Sequence, residues 1–412
     1  MRPLVEAQAD ILDAVSVLPV VEVPIAEALG LVLVEPVVAR HDLPPFANSA
    51  VDGYAVRTAD LASVPVELAV VAEVPAGAVA DRAVASGTAI KVMTGAPLPD
   101  GAEAVVRVED TEPGNGTVRI LASVDPGTAI RPAGGDVMEG TEVLSPGERL
   151  LPADLGVLAS LGVARPRVRR RPKIALLSTG DELRPPETST LAPGTIRDAN
   201  RSTLRGLLEE AGAVAVDHGI VADDADVLSR VLAEAAGDAD MIVSSGGVSM
   251  GDHDVVKEVL RDVGTVEFWK VAMQPAKPLG FGSVAGTPFF GLPGNPVSVF
   301  VAFEQFVRPA LLHMIGARAL FRPRLPGVLP EGAQTDPAKT VFLRVVAESG
   351  ADGRLRARSA GGQSSNVLSA MAAANAFAVV PVGRGPVDPG DVVDLEMFRL
   401  PSTRTRKEAL GD

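Results

Sequence analysis

The 412-residue sequence contains no cysteine and only four histidines. The lack of cysteine excludes disulfide bonds, thiolate metal sites and cysteine nucleophiles. No two of the histidines (His41, His218, His253 and His313) are close in the sequence. A zinc site built from histidine is therefore disfavoured.

Aromatic residues and net positive charge are also scarce. Aromatics make up 3% of the residues against 47% hydrophobic residues, so the core must consist of Val, Leu, Ile and Ala. The formal net charge of -14 disfavours binding to nucleic acid or to an anionic membrane surface. A small anion can still bind in a local pocket, because backbone amides and a few cations suffice there.

No apolar run is long enough for a membrane helix. The most apolar early stretch, residues 20–39, is interrupted by glutamates and prolines, and the N-terminal MRPLVEAQAD carries charge where a signal peptide is apolar. We therefore expect a cytoplasmic protein without a membrane segment. Its length suggests two to four units, each with its own core.

The first 172 residues predict a β-rich region between short helices. Residues 4–18 have the apolar spacing of an amphipathic helix, residues 54–150 alternate Val-rich runs with Gly and Pro turns, and residues 151–162 predict a second helix. The basic stretch 165–172 is interpreted as a solvated linker between domains. The acidic balance of the chain disfavours the alternative, a nucleic-acid patch.

From Lys173 onward, strands and helices alternate. We predict strands at 173–180, 213–221, 240–245 and 265–272, and helices at 200–212, 224–236, 254–263 and 296–315, the first of them capped by Asn200. This alternation indicates a parallel sheet with helices on both faces. The chain from about residue 321 returns to short strands, which predicts a small β-barrel-like unit.

Three segments with polar and Gly residues, 178–183, 244–254 and 268–278, lie at the ends of predicted strands of this sheet, at the edge where α/β proteins bind ligands. The segment 178–183, STGDEL, places two adjacent carboxylates at a strand exit. They could hold a hydrated Mg²⁺, or they could simply favour a helix start in a turn. The segment 291–298, GLPGNPVS, adds a fourth loop, with a sharp entry into a helix that begins at Pro296.

The segment 244–254, SSGGVSMGDHD, has the composition of a phosphate-binding loop. Its paired glycines allow close backbone approach, and its serines add hydroxyl donors. Asp252 and Asp254 would repel a bare phosphate. Their presence is consistent with a divalent cation that lies between these carboxylates and the phosphate. The alternative is a Gly-rich turn with helix-capping aspartates, which leaves the density of glycine and aspartate unexplained.

The third strand-end segment, 268–278, carries Lys270 and Lys277 on either side of a proline-stiffened turn. Such a turn suits an oxyanion such as phosphate or molybdate. A pair of lysines is otherwise typical of solvated surface, and both interpretations remain open on spacing alone.

Six motifs in order resemble the MoeA family, which includes the C-terminal part of gephyrin and the plant molybdenum-insertion proteins. They are PPFANSAVDGYAVR (44–57), KVMTGAPLPDGAEAVVRVED (91–110), IRPAGGDVMEG (130–140), STGDEL (178–183), SSGGVSMGDHD (244–254) and GLPGNPVS (291–298). One motif alone would be weak, but six in family order span most of the chain.

The resemblance implies a molybdopterin molybdenumtransferase. Family members bind adenylylated molybdopterin and molybdate, use a divalent cation such as Mg²⁺, and release molybdenum cofactor and AMP. The implied partners are this substrate pair, a second copy of the chain in a homodimer, a MogA-type adenylyltransferase and molybdoenzymes, with no nucleic acid and no membrane. The implied active cleft lies between domain III of one subunit and the terminal domains of the other.

The implied fold is a multidomain α/β plus β protein. It has a MogA-like doubly wound α/β domain, β-rich N-terminal domains and a small C-terminal β-barrel-like domain. The expected boundaries are 1–53 with 128–166 for a discontinuous linking domain, 54–127 for a β-rich domain, 167–318 for the α/β domain and 319–412 for the C-terminal domain.

The resemblance also assigns site residues. The implied catalytic positions are Asp52, Thr94, Asp136, Glu182 and Asp254, of which Glu182 and Asp254 are the expected metal ligands. The implied substrate-binding positions are Ser245, Gly246, Gly247, Ser249, Lys270, Lys277, Pro278, Pro293, Pro296, Ser298, Arg344 and Ser365. Lys277, Pro278, Ser298, Arg344 and Ser365 among these are expected at molybdate.

The chain departs from the family at one cation. Many relatives have Lys-Pro-Gly-Lys-Pro where this chain has Gln274-Pro275-Ala276-Lys277-Pro278, and the motif around Ser365 also differs. Three alternatives therefore stand beside molybdate insertion: a non-catalytic scaffold that binds molybdopterin, a tungstate-preferring paralogue, and a different nucleotide pyrophosphatase on the same α/β domain.

Overall fold

The structure is a computed structural model that describes residues 1–246, 255–350 and 352–401. Gly247, Ser249 and Asp254, three of the predicted site residues, lie outside these ranges. No helix within the described ranges combines the length and apolar character that crossing a membrane requires.

Helices occur in the N-terminal, central and C-terminal parts of the chain. They are α1 (Leu4–Ala14), α2 (Pro152–Ser160), α3 (Ala199–Glu210), α4 (Ala225–Asp238), α5 (Val255–Val263), α6 (Pro296–Ala302), α7 (Arg308–Met314) and α8 (Leu368–Ala373). A π-helical turn (Phe303–Val307) joins α6 to α7, so the predicted helix 296–315 exists with a widened turn in its middle.

The N-terminal strands form one large sheet and several small ones. The strands are β1 (Val20–Glu22), β2 (Val32–Leu33), β3 (Val37–Val38), β4 (Asn48–Ser49), β5 (Gly53–Val56), β6 (Val66–Val74), β7 (Thr88–Val92), β8 (Ala104–Arg107), β9 (Thr111–Pro113), β10 (Thr117–Ile120), β11 (Ile130–Arg131), β12 (Glu142–Leu144) and β13 (Arg167–Arg169). The large sheet has the order β8-β5-β7-β6-β10-β9.

The predicted linker 165–172 is wrong, because part of it is strand β13. This strand lies between β1 and β2 in a three-stranded sheet. Its Arg-Val-Arg sequence alternates, so Val168 is fully buried while the flanking arginines point outward. Arg170 then forms two hydrogen bonds of 2.6 Å with the Asp240 carboxylate at the start of the next sheet.

The central strands form a sheet with the order β17-β14-β18-β22-β21-β19. These strands are β14 (Lys173–Thr179), β17 (Val214–Val221), β18 (Met241–Ser245), β19 (Gly264–Lys270), β21 (Pro278–Val284) and β22 (Thr287–Leu292). Two short strands beside them, β15 (Leu183–Arg184) and β16 (Ile196–Arg197), pair with each other.

The predicted all-parallel sheet is only partly correct. Strands β17, β14, β18 and β22 are parallel, but β21 is antiparallel to both β22 and β19. The Ala285-Gly286 turn, with φ values of 48° and 84°, closes a tight hairpin between β21 and β22. This hairpin replaces a helical crossover, and the sequence analysis identified neither β21 nor β22.

Helices cover both faces of this sheet. Ile174 and Leu176 of β14 join the core cluster of α1, α3, α6 and α7, whereas Ala175 and Leu177 join the cluster of α4 and α5. Alternate side chains of a strand point to opposite faces. The sheet is therefore buried on both sides, as a doubly wound domain requires.

The C-terminal strands close into a small barrel. They are β23 (Arg324–Val328), β24 (Thr340–Ser349), β25 (Leu355–Ser359), β26 (Ala376–Val380) and β27 (Val392–Met397), with β20 (Met273–Gln274) attached to β24. An additional pairing between β24 and β26 completes the ring. The predicted fold class, multidomain α/β plus β with a C-terminal barrel, is confirmed.

Two predicted helix starts and ends differ from the structure. Helix α3 is capped by Asp198, whose carboxylate accepts a hydrogen bond of 3.1 Å from the Arg201 N–H, and not by Asn200. Helix α1 ends at Ala14 rather than at residue 18, and the Leu18 N–H donates to the Met314 carbonyl instead.

Candidate functional site

Four of the predicted loops meet at one edge of the central sheet. Strands β14, β18 and β22 are parallel neighbours, so residues 179–183, 245–246 and 293–296 all follow their carboxyl ends. The loop 271–277 between β19 and β21 reaches the same edge, because Pro278 pairs with Lys270 and Gly280 pairs with Gly291. The structure thus brings these four segments together.

Asn200, which does not cap helix α3, connects two of these loops through its side chain. Its Nδ2 donates to the Ser245 hydroxyl at 2.9 Å and to the Gly294 carbonyl at 2.7 Å. The Gly246 N–H donates to the Leu292 carbonyl at 3.1 Å. Asn200 and Gly246 therefore fix the geometry of the edge, while the Ser245 hydroxyl keeps its own proton for another acceptor.

Two glycines of this edge are required by the backbone. Gly246 has φ of 93°, and a Cβ there would lie 2.5 Å from the Thr179 carbonyl oxygen. Gly180 has φ of 142°, and a Cβ there would lie 2.5 Å from the Glu182 carboxylate. No other residue type fits either position without moving its neighbours.

Buried hydroxyls lie at the ends of the same strands. The side-chain oxygens of Ser178, Thr179 and Ser244 are buried and find no hydrogen-bond partner in the described part of the chain. A buried polar atom without a protein partner calls for water or a ligand nearby. The edge therefore has unused polar capacity.

A cleft of about 510 Å³ opens between this edge and the C-terminal barrel. We call it the lysine cleft. Its lining residues are Met273, Gln274, Pro275, Ala276, Lys277, Pro278, Pro293, Asn295, Ser298, Lys339, Gln363, Ser364 and Ser365. These described lining residues include two with charged side chains, Lys277 and Lys339, and no carboxylate.

Backbone pairing holds the walls of the lysine cleft together. Strand β20 of the 271–277 loop pairs with β24 of the barrel, and the Thr340 N–H donates to the Ala272 carbonyl at 2.9 Å. On the other side, the Val297 N–H of α6 donates to the Ser365 carbonyl at 3.1 Å. The α/β domain and the barrel therefore form the cleft jointly.

Arg344 lies behind this cleft, in the wall of a neighbouring barrel cavity of about 260 Å³. Its guanidinium donates to the Gly362 and Ser364 carbonyls at 2.9 and 3.2 Å, while its Nε has no partner within the described residues. Burial lowers the pKa of Arg344. The side chain is 1% exposed and has no carboxylate partner among the described residues, so its buried charge favours an anion nearby.

Carboxylates gather next to the β14 end of the edge. Partial burial raises the pKa of the Asp223 carboxyl, and the nearby Asp181 and Glu182 carboxylates raise it further, although a hydrogen bond from the Asp181 backbone acts in the opposite direction. Asp181 accepts the Asp223 N–H at 3.2 Å. The described residues contain no group of three acidic or histidine side chains arranged to hold a metal ion by themselves.

Three predicted catalytic residues lie in the N-terminal region, away from the lysine cleft lining. The Asp52 carboxylate accepts hydrogen bonds from the Thr94 N–H and hydroxyl at 2.7 and 2.8 Å, and these bonds lower the pKa of Asp52. Asp136 is exposed, and its N–H donates to the Leu43 carbonyl at 2.9 Å. Asp52 and Thr94 thus form a pair, while Asp136 follows a separate turn.

Lys270 and Pro296 lie next to the cleft but not in its lining. Lys270 ends β19 with an exposed side chain, and Pro296 begins α6.

The sequence analysis did not assign five polar residues of this region to the site: Asn200, Asn295, Lys339, Gln363 and Ser364. The sequence did offer one signal for Asn200. Asp198 is the better candidate for the helix cap, which leaves the Asn200 side chain available for contacts elsewhere.

Family models match most of the chain. The MoeA N-terminal region (domain I and II) matches residues 2–162, a probable molybdopterin binding domain matches residues 175–313, and the MoeA C-terminal region (domain IV) matches residues 326–398.

Relatives and solved structures agree with these matches. Molybdopterin molybdenumtransferase 2 of Mycobacterium tuberculosis is 40% identical over 391 residues, covering 92% of this chain and 96% of that protein. Molybdopterin molybdenumtransferase of Haemophilus influenzae is 36% identical over 374 residues, covering 90% and 92%. The crystal structure of the molybdopterin biosynthesis MoeA protein from Pyrococcus horikoshii OT3 is 31% identical with a TM-score of 0.82, covering 97% and 100%. The chain therefore belongs to the MoeA family of molybdopterin molybdenumtransferases, enzymes of molybdenum cofactor biosynthesis.

Proposed function

We propose that this enzyme inserts molybdate into adenylylated molybdopterin, with Mg²⁺-dependent release of AMP, in the cytoplasm. The observation that supports this most is the lysine cleft, because its lining residues include two lysines and no carboxylate on a chain with a net charge of -14. Such a local excess of positive charge attracts a small oxyanion and does not attract a metal cation.

In this proposal, molybdate lies in the lysine cleft between Lys277, Ser298 and Ser365. Lys277 supplies an ammonium group, and the two serines supply hydroxyl donors to a tetrahedral anion. Pro278 and Pro293 stiffen the two loops that carry these donors. The buried Arg344 guanidinium, whose Nε has no partner within the described residues, adds positive potential from behind and holds the 362–364 backbone in place.

The pyrophosphate of the substrate would lie along the ends of β14 and β18. The Ser245 hydroxyl and the unpartnered hydroxyls of Ser178, Thr179 and Ser244 offer donors there. Gly247 and Ser249, in the adjoining loop, remain proposed phosphate contacts. The Gly246 N–H is already bonded to the Leu292 carbonyl, so the role we propose for Gly246 is to shape the turn beside the phosphate.

The residues at the end of β14 fit a magnesium ion that is shared with the substrate. Glu182 places an exposed carboxylate beside Gly180, and Mg²⁺ commonly binds one or two carboxylates together with substrate phosphates. We assign Glu182 and Asp254 as its ligands. When bound, the ion would neutralise part of the pyrophosphate charge.

Asp52, Thr94 and Asp136 do not line the lysine cleft of their own chain. We propose that the enzyme is a homodimer in which these residues of one subunit face the substrate bound to the other. This arrangement accounts for an exposed carboxylate whose pKa is held low by Thr94 hydrogen bonds and which therefore remains charged. The proposed partners also include a MogA-type adenylyltransferase that supplies the substrate and molybdoenzymes that receive the product.

A reconstituted assay tests this function. Purified protein, adenylylated molybdopterin, molybdate and Mg²⁺ should give AMP and molybdenum cofactor, measured by chromatography and by activation of a cofactor-free nitrate reductase. The Asp254→Ala variant should lose AMP release by more than about 100-fold while still folding, because a metal ligand is removed. AMP release at the normal rate by this variant would overturn the assignment of Asp254.

The same assay separates the alternatives. A scaffold would bind the adenylylated substrate without releasing AMP, a tungstate-preferring enzyme would give more product with tungstate than with molybdate, and a simple pyrophosphatase would release AMP without inserting any metal. Any of these three results would contradict the proposed reaction.

A further inference from the structure

Lys339, which nothing in the sequence singled out, is the second cation of the lysine cleft. Its side chain is 22% exposed, and its Nζ lies 2.6 Å from the Asp336 carboxylate. It lines the cleft from the segment that leads into β24 of the barrel, whereas Lys277 lines it from the segment that leads into β21 of the central sheet. The two lysines therefore come from two different domains.

The sequence fixes the position of Lys339 through a tight turn. Residues 336–339 read Asp-Pro-Ala-Lys, with Asp at the first and Pro at the second position, the composition of a type I turn. The Lys339 N–H donates to the Asp336 carbonyl at 3.1 Å, and the Ala338 N–H donates to the Asp336 carboxylate at 2.9 Å. The Asp336 carboxylate thus stabilises the turn through the Ala338 N–H and also holds the Lys339 ammonium group.

The next residue connects this turn to the 271–277 loop. The Thr340 N–H donates to the Ala272 carbonyl, and Thr340 pairs with Met273, four residues before Lys277. The backbone that carries Lys339 is therefore bonded directly to the loop that carries Lys277. A tetrahedral dianion in the cleft that both lysines line would be attracted by both ammonium groups.

We propose that Lys339 binds the oxyanion in the lysine cleft and that Asp336 restrains it and weakens that binding. An ammonium group has three donors, and the bond to Asp336 uses one, which leaves two for the anion. The Asp336 carboxylate also places negative charge next to the site, which opposes anion binding. This inference rests on the proposed function, since it adds a residue to the same molybdate site.

The two substitutions Lys339→Gln and Asp336→Asn test this inference because the proposal predicts opposite effects. Binding of molybdate to the purified protein is measured by titration calorimetry. Lys339→Gln should weaken binding by about tenfold or more, and Lys339→Arg should retain most of it. Asp336→Asn should tighten binding by about threefold, because its amide oxygen keeps the turn while the negative charge is removed.

A purely structural ion pair predicts a different result. If Lys339 and Asp336 only stabilise the turn, both substitutions break the same bond and should weaken binding in the same direction. That outcome would overturn the inference, as would unchanged molybdate binding in Lys339→Gln. Thermal unfolding of each variant shows whether the turn has been lost.

A matched control removes the effect of overall charge. Asp391 lies in the same barrel, pairs with Arg384 at 3.1 Å and accepts a backbone N–H from Asp388. Asp391→Asn changes the net charge as Asp336→Asn does, so it should leave molybdate affinity unchanged. Failure of the proposed function itself is distinguishable, because the unmodified protein would then not bind molybdate at all.

Discussion

At the scale of single residues, Gly246 determines the shape of the ligand edge. Its φ of 93° and the closeness of the Thr179 carbonyl exclude a side chain. Gly246→Ala should therefore lower the free energy of unfolding by about 2 to 4 kcal/mol, through backbone strain and the clash together. Denaturant unfolding measures this change.

Gly206 provides the matched control for that substitution. It lies in helix α3 with an ordinary backbone conformation, and an added Cβ would meet nothing within 4 Å. Gly206→Ala should stabilise the protein by about 0.5 to 1 kcal/mol, because alanine favours the helix. Equal effects of the two substitutions would show that the strain at Gly246 is not real.

At the scale of elements, strand β13 joins the N-terminal region to the central sheet through Arg170 and Asp240. Partial burial acts to raise the pKa of Asp240, but hydrogen bonds from Arg170 and the Lys173 N–H outweigh it, so the pKa is lowered overall. Asp240→Asn should lower the free energy of unfolding by about 1 to 2 kcal/mol at neutral pH.

The pH dependence of this effect follows from the lowered pKa. A carboxyl whose pKa is lower in the folded state stabilises the fold above its unfolded pKa of about 3.9, and this contribution is lost as pH falls through the folded value. The difference between Asp240→Asn and the unmodified protein should therefore shrink below about pH 4. Glu35→Gln, which removes an exposed pair with Arg167, should change stability by less than about 0.5 kcal/mol at any pH.

The same scale shows what the sequence could predict. Strands β14, β17 and β18 and helices α2 and α4 follow from apolar spacing and from capping residues such as Asp224. Strand β13 was not predicted, because three of its neighbours are arginine and charge masked the alternation around Val168. Strand β21 was not predicted either, since its Pro, Gly and Ser content resembles a loop and only its pairing with β19 and β22 makes it a strand.

The site residues also divide into those that the sequence could predict and those that it could not. Lys277, Pro293 and Ser298 could be assigned because they lie in motifs that resemble a family, and the structure places them in one cleft. Lys339 could not, because its role depends on the pairing between β20 and β24, which joins segments far apart in the sequence. Contacts between domains have no local sequence pattern.

At the scale of the whole molecule, the proposed dimer divides the catalytic residues between two subunits. Asp52→Asn and Lys277→Gln should each abolish activity, since each damages one half of every site. Mixing the two variants under subunit exchange should restore about a quarter of the normal activity, because half of the dimers are mixed and each has one intact site. The AMP-release assay measures the recovery.

A second mixture serves as the control. In the proposed dimer, one subunit supplies both Asp52 and Asp136 to a given site. Every site in a mixed dimer of Asp52→Asn and Asp136→Asn therefore lacks one of the two carboxylates. No recovery is expected in that mixture. No recovery in the first mixture, with subunit exchange verified, would mean that the residues do not face each other across a dimer.

The most direct test of the central claim is the position of molybdenum in crystals of the protein soaked with AMP and molybdate. Anomalous scattering at the molybdenum edge identifies the metal without ambiguity. The account predicts one strong peak in the lysine cleft, within contact distance of Lys277, Ser298 and Ser365, with AMP along the ends of β14 and β18. A peak on another face of the molecule, with the cleft empty, would contradict it.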